Sequence, residues 1–216
     1  MQRRIGMRYG AKMAGVIAVM LASAPAVSED LKAYKLTIDG VSVDIDPGED
    51  ATVTLPNGKD ARVKLERNAF ATFSSKSFSF VHPSTVTVTK TNLSKGVDQH
   101  LMASAVGSMV IIQEYSDMNP VMLNQFMLQE ITKESVRAGG KLTQKAGSRK
   151  LADGKVLKGL TATVKSSTDQ VAYEVMSYGT ADQGVVVITS LDDDNAAADR
   201  PMIDRFWQSL KLRMGG

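Results

Sequence analysis

Along most of its length the chain alternates apolar and polar residues with a period of two, and in two places the period lengthens to that of a helix. Val185, Val186, Val187, Ile188 and Thr189 break the alternation, because all five are β-branched and the run is apolar on both faces. Such a run predicts a central strand covered on at least one side. After the acidic turn Asp192-Asp193-Asp194-Asn195, the residues Ile203, Phe206, Trp207 and Leu210 recur at i, i+3, i+4 and i+7. That spacing makes one face of a helix, and the only tryptophan of the chain sits on it. Asp199 is expected to cap this helix with Pro201 in its first turn, which leaves Ala196 to Ala198 in a separate turn or short helical segment.

The earlier chain reads mainly as strands. Tyr34, Leu36 and Ile38 alternate before Asp39-Gly40, and Val41, Val43 and Ile45 alternate after it. Val53 and Leu55 lead into Pro56-Asn57-Gly58-Lys59, followed by Ala61, Val63 and Leu65, so residues 33–66 form two hairpins with Asn-Gly as the strongest turn signal. Phe78 and Phe80 share a face ahead of His82-Pro83, Val86 and Val88 alternate, and residues 92–96 are a polar loop. Residues 101–115 resume as sheet, turned near Gly107 and Ser108, with a buried core at 109–112. Asn119 and Pro120 open a helix with Leu123, Phe126, Met127 and Ile131 facing inward, and Gly139-Gly140 close it. Residues 142–191 form a meander turned at Asp153-Gly154, at 166–169 and at 179–184. Strands, helix, strands, helix describe an α+β fold, an antiparallel β-sheet flanked by helices, and argue against a doubly wound parallel sheet. The expected division is a leader over 1–26, an N-terminal β-hairpin extension over 27–68 and the α+β domain over 69–216.

The leader changes how the charge is read. Arg3, Arg4, Arg8 and Lys12 precede an apolar run over 13–21, and Ala24-Pro25-Ala26 supplies a small-residue cleavage site. This is the pattern of a signal peptide, which places the protein in the periplasm or outside the cell. Sec or twin-arginine export are both open. The whole chain has 26 Lys+Arg and 23 Asp+Glu, but four of the basic residues lie in the leader, so the processed chain carries 22 against 23, a net −1. The basic balance therefore belongs to the export signal and points to no nucleic-acid partner. No later apolar run is long enough to span a bilayer. The absence of cysteine excludes a thiol nucleophile, a thiolate metal site and a lipid-modified cysteine.

Phe78-Ser79-Phe80 running into His82-Pro83, the mid-chain helix, the three-strand meander, and Asp204, Phe206 and Ser209-Leu210-Lys211-Leu212 together resemble the PsbP-like family over roughly residues 73–212. That family includes an extrinsic photosystem II subunit, a yeast Ran-binding import factor and bacterial envelope proteins of the DcrB type. The resemblance implies an α/β/α sandwich with accessory or scaffold roles and no catalysis. The hairpins before Phe70 lie outside it, and the cysteine of acylated DcrB-type members is missing here.

Candidate chemistry is sparse. His82 and His100 are the only imidazoles; His82 suits a strand-end turn before Pro83, and Asp98-x-His100 makes a triad only with a serine brought in by the fold. No G-x-S-x-G nucleophile elbow occurs. Asp44-x-Asp46-x-Gly48-x-Asp50 and Asp192-Asp193-Asp194-Asn195 are dense in oxygen ligands, but the first departs from the EF-hand pattern and the second suits turn chemistry. Met102, Met109, Met118, Met122 and Met127 offer thioethers for Cu(I), though gap-filling in the core explains Met109 and Met127; Met118 and Met122 flank a helix start, where they suit a flexible contact surface. The expectation is a noncatalytic, exported accessory or partner-binding protein with no catalytic, cofactor-binding or metal residues and no cofactor. Its partner would be an envelope protein. The alternatives are a periplasmic binder of a small apolar ligand and, third, a hydrolase using His82 or His100. The export signal sets the first test: the intact mass of the protein accumulated in cells should correspond to a chain beginning at Val27, and a full-length cytoplasmic product would contradict the compartment.

Overall fold

The computed structural model describes residues 31–214; the expected signal peptide over 1–26 lies outside them. The chain divides into two compact units, one through Leu65 and one from Glu66 onward. In the first, β1 (Tyr34–Ile38) pairs with β2 (Val41–Ile45), and β3 (Asp50–Thr54) pairs with β4 (Asp60–Lys64), giving two separate antiparallel hairpins. Asp39 and Gly40 both take positive φ, 49° and 84°, as a two-residue type I′ turn requires. The second turn differs from the expected Asn-Gly hairpin. Pro56 holds its own φ negative, so Pro56-Asn57 form the corner of a type I turn, closed by the Gly58 N–H on the Leu55 carbonyl at 2.9 Å. Gly58 alone then takes positive φ, 76°.

The second unit is built on a seven-stranded antiparallel sheet ordered β10-β11-β12-β13-β9-β8-β7. Its strands are β7 (Val88–Ser94), β8 (Val97–Ala103), β9 (Met109–Tyr115), β10 (Lys141–Lys150), β11 (Val156–Lys165), β12 (Gln170–Gly179) and β13 (Gly184–Asp192). One face is covered by α1 (Asn124–Arg137) and the other by α2 (Ala196–Ser209) with a small sheet of β5 (Phe70–Ser74), β6 (Phe78–Pro83) and β14 (Lys211–Leu212). The α+β reading holds, with a helix on each side of the sheet. β7 runs through Ser94, so the polar loop expected over 92–96 shrinks to a tight turn: Asn92 pairs with Asp98 across the ladder.

The β-branched run lies on β13, between β12 and β9. Val185 and Val187 point into the core beneath α2, whereas Val186 and Ile188 point into the core beneath α1. Successive strand residues face opposite ways, so a run without polar alternation is what a doubly covered strand demands.

Both helices depart in detail from the pattern. Asn119 Oδ1 accepts from the Val121 N–H at 3.2 Å and so caps a 3-10 turn over Val121–Leu123 that precedes α1. On α1, Leu128 and Thr132 are buried with Met127 and Ile131 half-buried, as is Leu123 of the 3-10 turn, but Phe126 is 54% exposed. The inward stripe is rotated because Asn124 turns toward the sheet, donating to the Ser177 hydroxyl and the Lys158 carbonyl. The helix stops as expected. Gly139, at φ 95°, and Gly140 donate to the carbonyls of Val136 and Ser135 and satisfy the last turn. α2 is one continuous helix from Ala196, and Asp199 is no cap: its carboxylate leaves the helix to accept from the Ser104 hydroxyl at 2.6 Å, which anchors the β8–β9 turn.

Met202, Ile203, Phe206, Trp207 and Leu210 are buried against the sheet. Trp207 packs against Phe206, with ring centroids 5.1 Å apart, and beneath the Arg149 guanidinium, which Glu174 holds through two hydrogen bonds of 3.0 and 2.6 Å. Trp207→Ala empties this position and should cost about 3–5 kcal/mol in chemical denaturation. A variant as stable as the parent would contradict the placement of α2.

Candidate functional site

Strand register gathers the chain's most unusual polar groups. Met102, His100 and Asp98 alternate along β8 and stand opposite Val110, Ile112 and Glu114 of β9, so all six face the layer beneath α2. Phe73, Phe78 and Phe80 fill that layer over the apolar part. Toward one end the apolar residues give way to His100, Asp98 and Glu114, while β7 adds Lys90 opposite His100 and Asn92 opposite Asp98. The β5–β6 turn, with Ser75, Lys76 and Ser77, forms the other wall. The result is a cleft of about 670 Å³.

His100 is 2% exposed, and its ring meets Phe73 and Phe78, each with centroids 5.2 Å away. Neither ring nitrogen has a hydrogen-bond partner; Nε2 lies 3.5 Å from Glu114 Oε2 without the alignment of a bond. Glu114 is also buried, but well served: the Ser75 hydroxyl donates to it at 2.5 Å and the Ser77 N–H at 2.8 Å. Burial works hardest on both groups. On His100 it lowers the pKa below the ordinary imidazole value, outweighing the attraction of Glu114. On Glu114 burial pushes upward, yet the hydrogen bonds from Ser75 and Ser77 prevail and the carboxyl is held below its usual range. At neutral pH the cleft therefore holds a carboxylate beside a neutral imidazole. At its mouth Asp98 accepts from Asn92 at 2.9 Å and pairs with Lys90 at 2.8 Å, and Lys90 with Asn92 lowers its pKa.

Hydrogen-bond direction decides what this cluster can do. In a Ser-His-acid triad the serine hydroxyl donates to the imidazole, which the acid orients. Here the Ser75 hydroxyl donates a hydrogen bond to Glu114, and a triad of Asp98, His100 and a serine does not assemble, because Asp98 is held by Lys90 and Asn92. His82 stands elsewhere, on β6, with Nδ1 2.9 Å from the Pro83 carbonyl and its ring against Phe80. Sequence reading missed Glu114, Ser75 and Ser77. Glu114 left a trace: it continues the inward alternation of Val110 and Ile112 with a charge.

The acidic stretches part ways. Asp46 and Glu49 hold Lys32, at 3.6 and 2.5 Å, and Asp44 faces Lys35, at 3.9 Å. Asp192 and Asp194 are joined by Asp169 from the β11–β12 turn, with one carboxylate oxygen of each within 4.8 Å of the others, an association invisible in sequence. Met102 is buried in the core, whereas Met118 and Met122 are exposed. Met122 and Val121 border a second, open groove of about 590 Å³ with Val156, Lys158, Leu160 and Tyr178.

The buried imidazole makes the fold acid-sensitive in a defined window. Its pKa is lower folded than unfolded, so the unfolded chain takes up the proton first and stability falls as pH drops below about 6.5, the unfolded value. The Glu114 contribution, also from a lowered pKa, is lost only as pH falls below about 4.5. Urea denaturation between pH 7 and 5 should show falling stability in the parent and a flatter profile in His100→Phe. Rising stability on acidification would mean that an imidazolium–Glu114 ion pair outweighs burial.

No family model and no curated protein matches the chain. Among solved structures it is similar to the solution structure of cyanobacterial PsbP (CyanoP) from Synechocystis sp. PCC 6803, with 14% identity, 67% of this chain and 92% of that one covered, and a TM-score of 0.44. A likeness of that size says nothing of function, and the architecture rests on the strand pairing described above.

Proposed function

We propose that this is an exported, noncatalytic accessory protein of the bacterial cell envelope, PsbP-like in kind and of the DcrB type, that acts by binding a partner protein. The direction of the Ser75–Glu114 hydrogen bond supports the noncatalytic part, since in the cleft that holds His100 this hydroxyl is bound to the carboxylate and not to the imidazole. The two N-terminal hairpins support partner binding. Each is a two-stranded sheet, so among the described residues its outer strand edges have no neighbouring strand, and such edges accept an extended segment of another chain.

A second reading, a binder of a small apolar ligand, draws on the groove beside Val121, Met122 and Val156. Native mass spectrometry of protein taken from the envelope separates the two, because a co-purifying small molecule favours the ligand. For the leading reading, esterase, phosphatase and peptidase substrates should show no turnover, and crosslinking in the envelope should capture a partner that is lost on deleting residues 33–66 while the remaining domain stays folded. Turnover abolished in the His82→Ala, His100→Ala double variant would overturn it.

A further inference from the structure

The β10–β11 hairpin is the most polarised stretch of the chain. Residues 141–165 hold seven Lys/Arg and a single acid, Asp153, a net +6, whereas the rest of residues 31–216 holds 15 Lys/Arg against 20 Asp/Glu, a net −5. The hairpin stands at one edge of the seven-stranded sheet. Arg149 is neutralised by Glu174, and Lys155 by Asp153 at 2.9 Å. Lys150 and Lys158 are exposed and form no salt bridge among the described residues.

Their position matters as much as their number. Lys150 pairs in register with Val156, and Ser148 with Lys158, so Lys150, Val156 and Lys158 share the sheet face that α1 covers farther along. The helix starts too late to cover this end. Instead the 3-10 turn brings Val121 and Met122 to the same groove, with Phe126 one turn on. Val121, Met122, Phe126 and Val156 are 40, 87, 54 and 42% exposed. Unpaired lysines thus flank projecting apolar side chains at one corner of the domain.

We propose that this corner is a peripheral docking site for an anionic phospholipid surface, with Lys150 and Lys158 among the headgroups and Met122 and Phe126 entering the boundary of the acyl chains. Lysine attraction to a negative leaflet and shallow insertion of apolar side chains are each weak, and together they give reversible attachment without a spanning helix. Among the described residues no helix is long and apolar enough to cross a membrane. The inference stands apart from the proposed partner and from the cleft around His100.

Co-sedimentation of the protein, purified as cells accumulate it, with phosphatidylglycerol–phosphatidylcholine vesicles and with pure phosphatidylcholine vesicles tests the proposal. Binding should require phosphatidylglycerol and weaken as salt is raised. The Lys150→Glu, Lys158→Glu variant should bind at least about 30-fold more weakly, from roughly fivefold per lysine. Met122→Ser with Phe126→Ser should also weaken binding several-fold, although both residues are exposed and the melting temperature should stay near the parent's. Absence of binding to the anionic vesicles, or equal binding by the charge-reversed variant, overturns the proposal. So does an electrostatic contact alone, shown if soluble polyaspartate competes fully and the serine variant binds like the parent, since that result assigns the surface to an acidic polypeptide.

Discussion

The second unit depends on a single strand being buried from both sides. β13 carries five consecutive β-branched residues, each no more than 3% exposed, and neither of its faces can meet water. Burying a Val or Ile side chain is worth roughly 1.5–3 kcal/mol, so a strand with such residues on both faces requires two covering layers and not one. α1 and α2 supply them. The chain also has to pass close over the end of this strand: a Cβ on Gly184 would lie 2.3 Å from Pro120 Cδ, and one on Gly179, its partner across the ladder, 2.2 Å from Asn119 Oδ1. Two missing side chains let the entry to α1 rest on the sheet.

The same layering explains why the polar cluster is costly and local. The face beneath α2 is apolar through Phe78, Phe80, Ile112 and Val187, and its continuation at His100 and Glu114 lies at the same depth in the sheet. An ionised carboxylate there needs hydrogen bonds, and the β5–β6 turn delivers two of them through Ser75 and Ser77. His100 receives none. Its two unpartnered nitrogens make it the less settled member of the pair.

Much of the fold was legible because it rests on periodicity. The β13 run, the alternation through β1 and β2, the Gly139-Gly140 stop and the Ile203-Phe206-Trp207-Leu210 stripe are local statements that the structure repeats. The misreadings arose where a distant residue competed with a local rule. Asp199 looked like a cap until Ser104, far away in sequence, took its carboxylate; Phe126 looked inward until Asn124 turned the helix toward Lys158 and Ser177. The cleft was harder still. His100 was visible as one of two histidines, but its neighbours come from β9 and from the β5–β6 turn, and only register brings Glu114 and Ser75 beside it.

Charge on an edge hairpin has an ordinary explanation, which is to keep the open strand from pairing with another chain. It accounts for Lys141, Lys145 and Lys150, which lie on β10 at the margin of the sheet. It does not account for Lys158 or Lys165, which lie on β11 with strands on both sides. Nor does it explain Met122 left open in the groove that Lys158 lines, with Phe126 exposed one turn on, since an edge protected by charge gains nothing from an apolar neighbour that invites contact. Charge and apolar exposure together suit a surface meant to touch something flat, acidic at its rim and oily beneath.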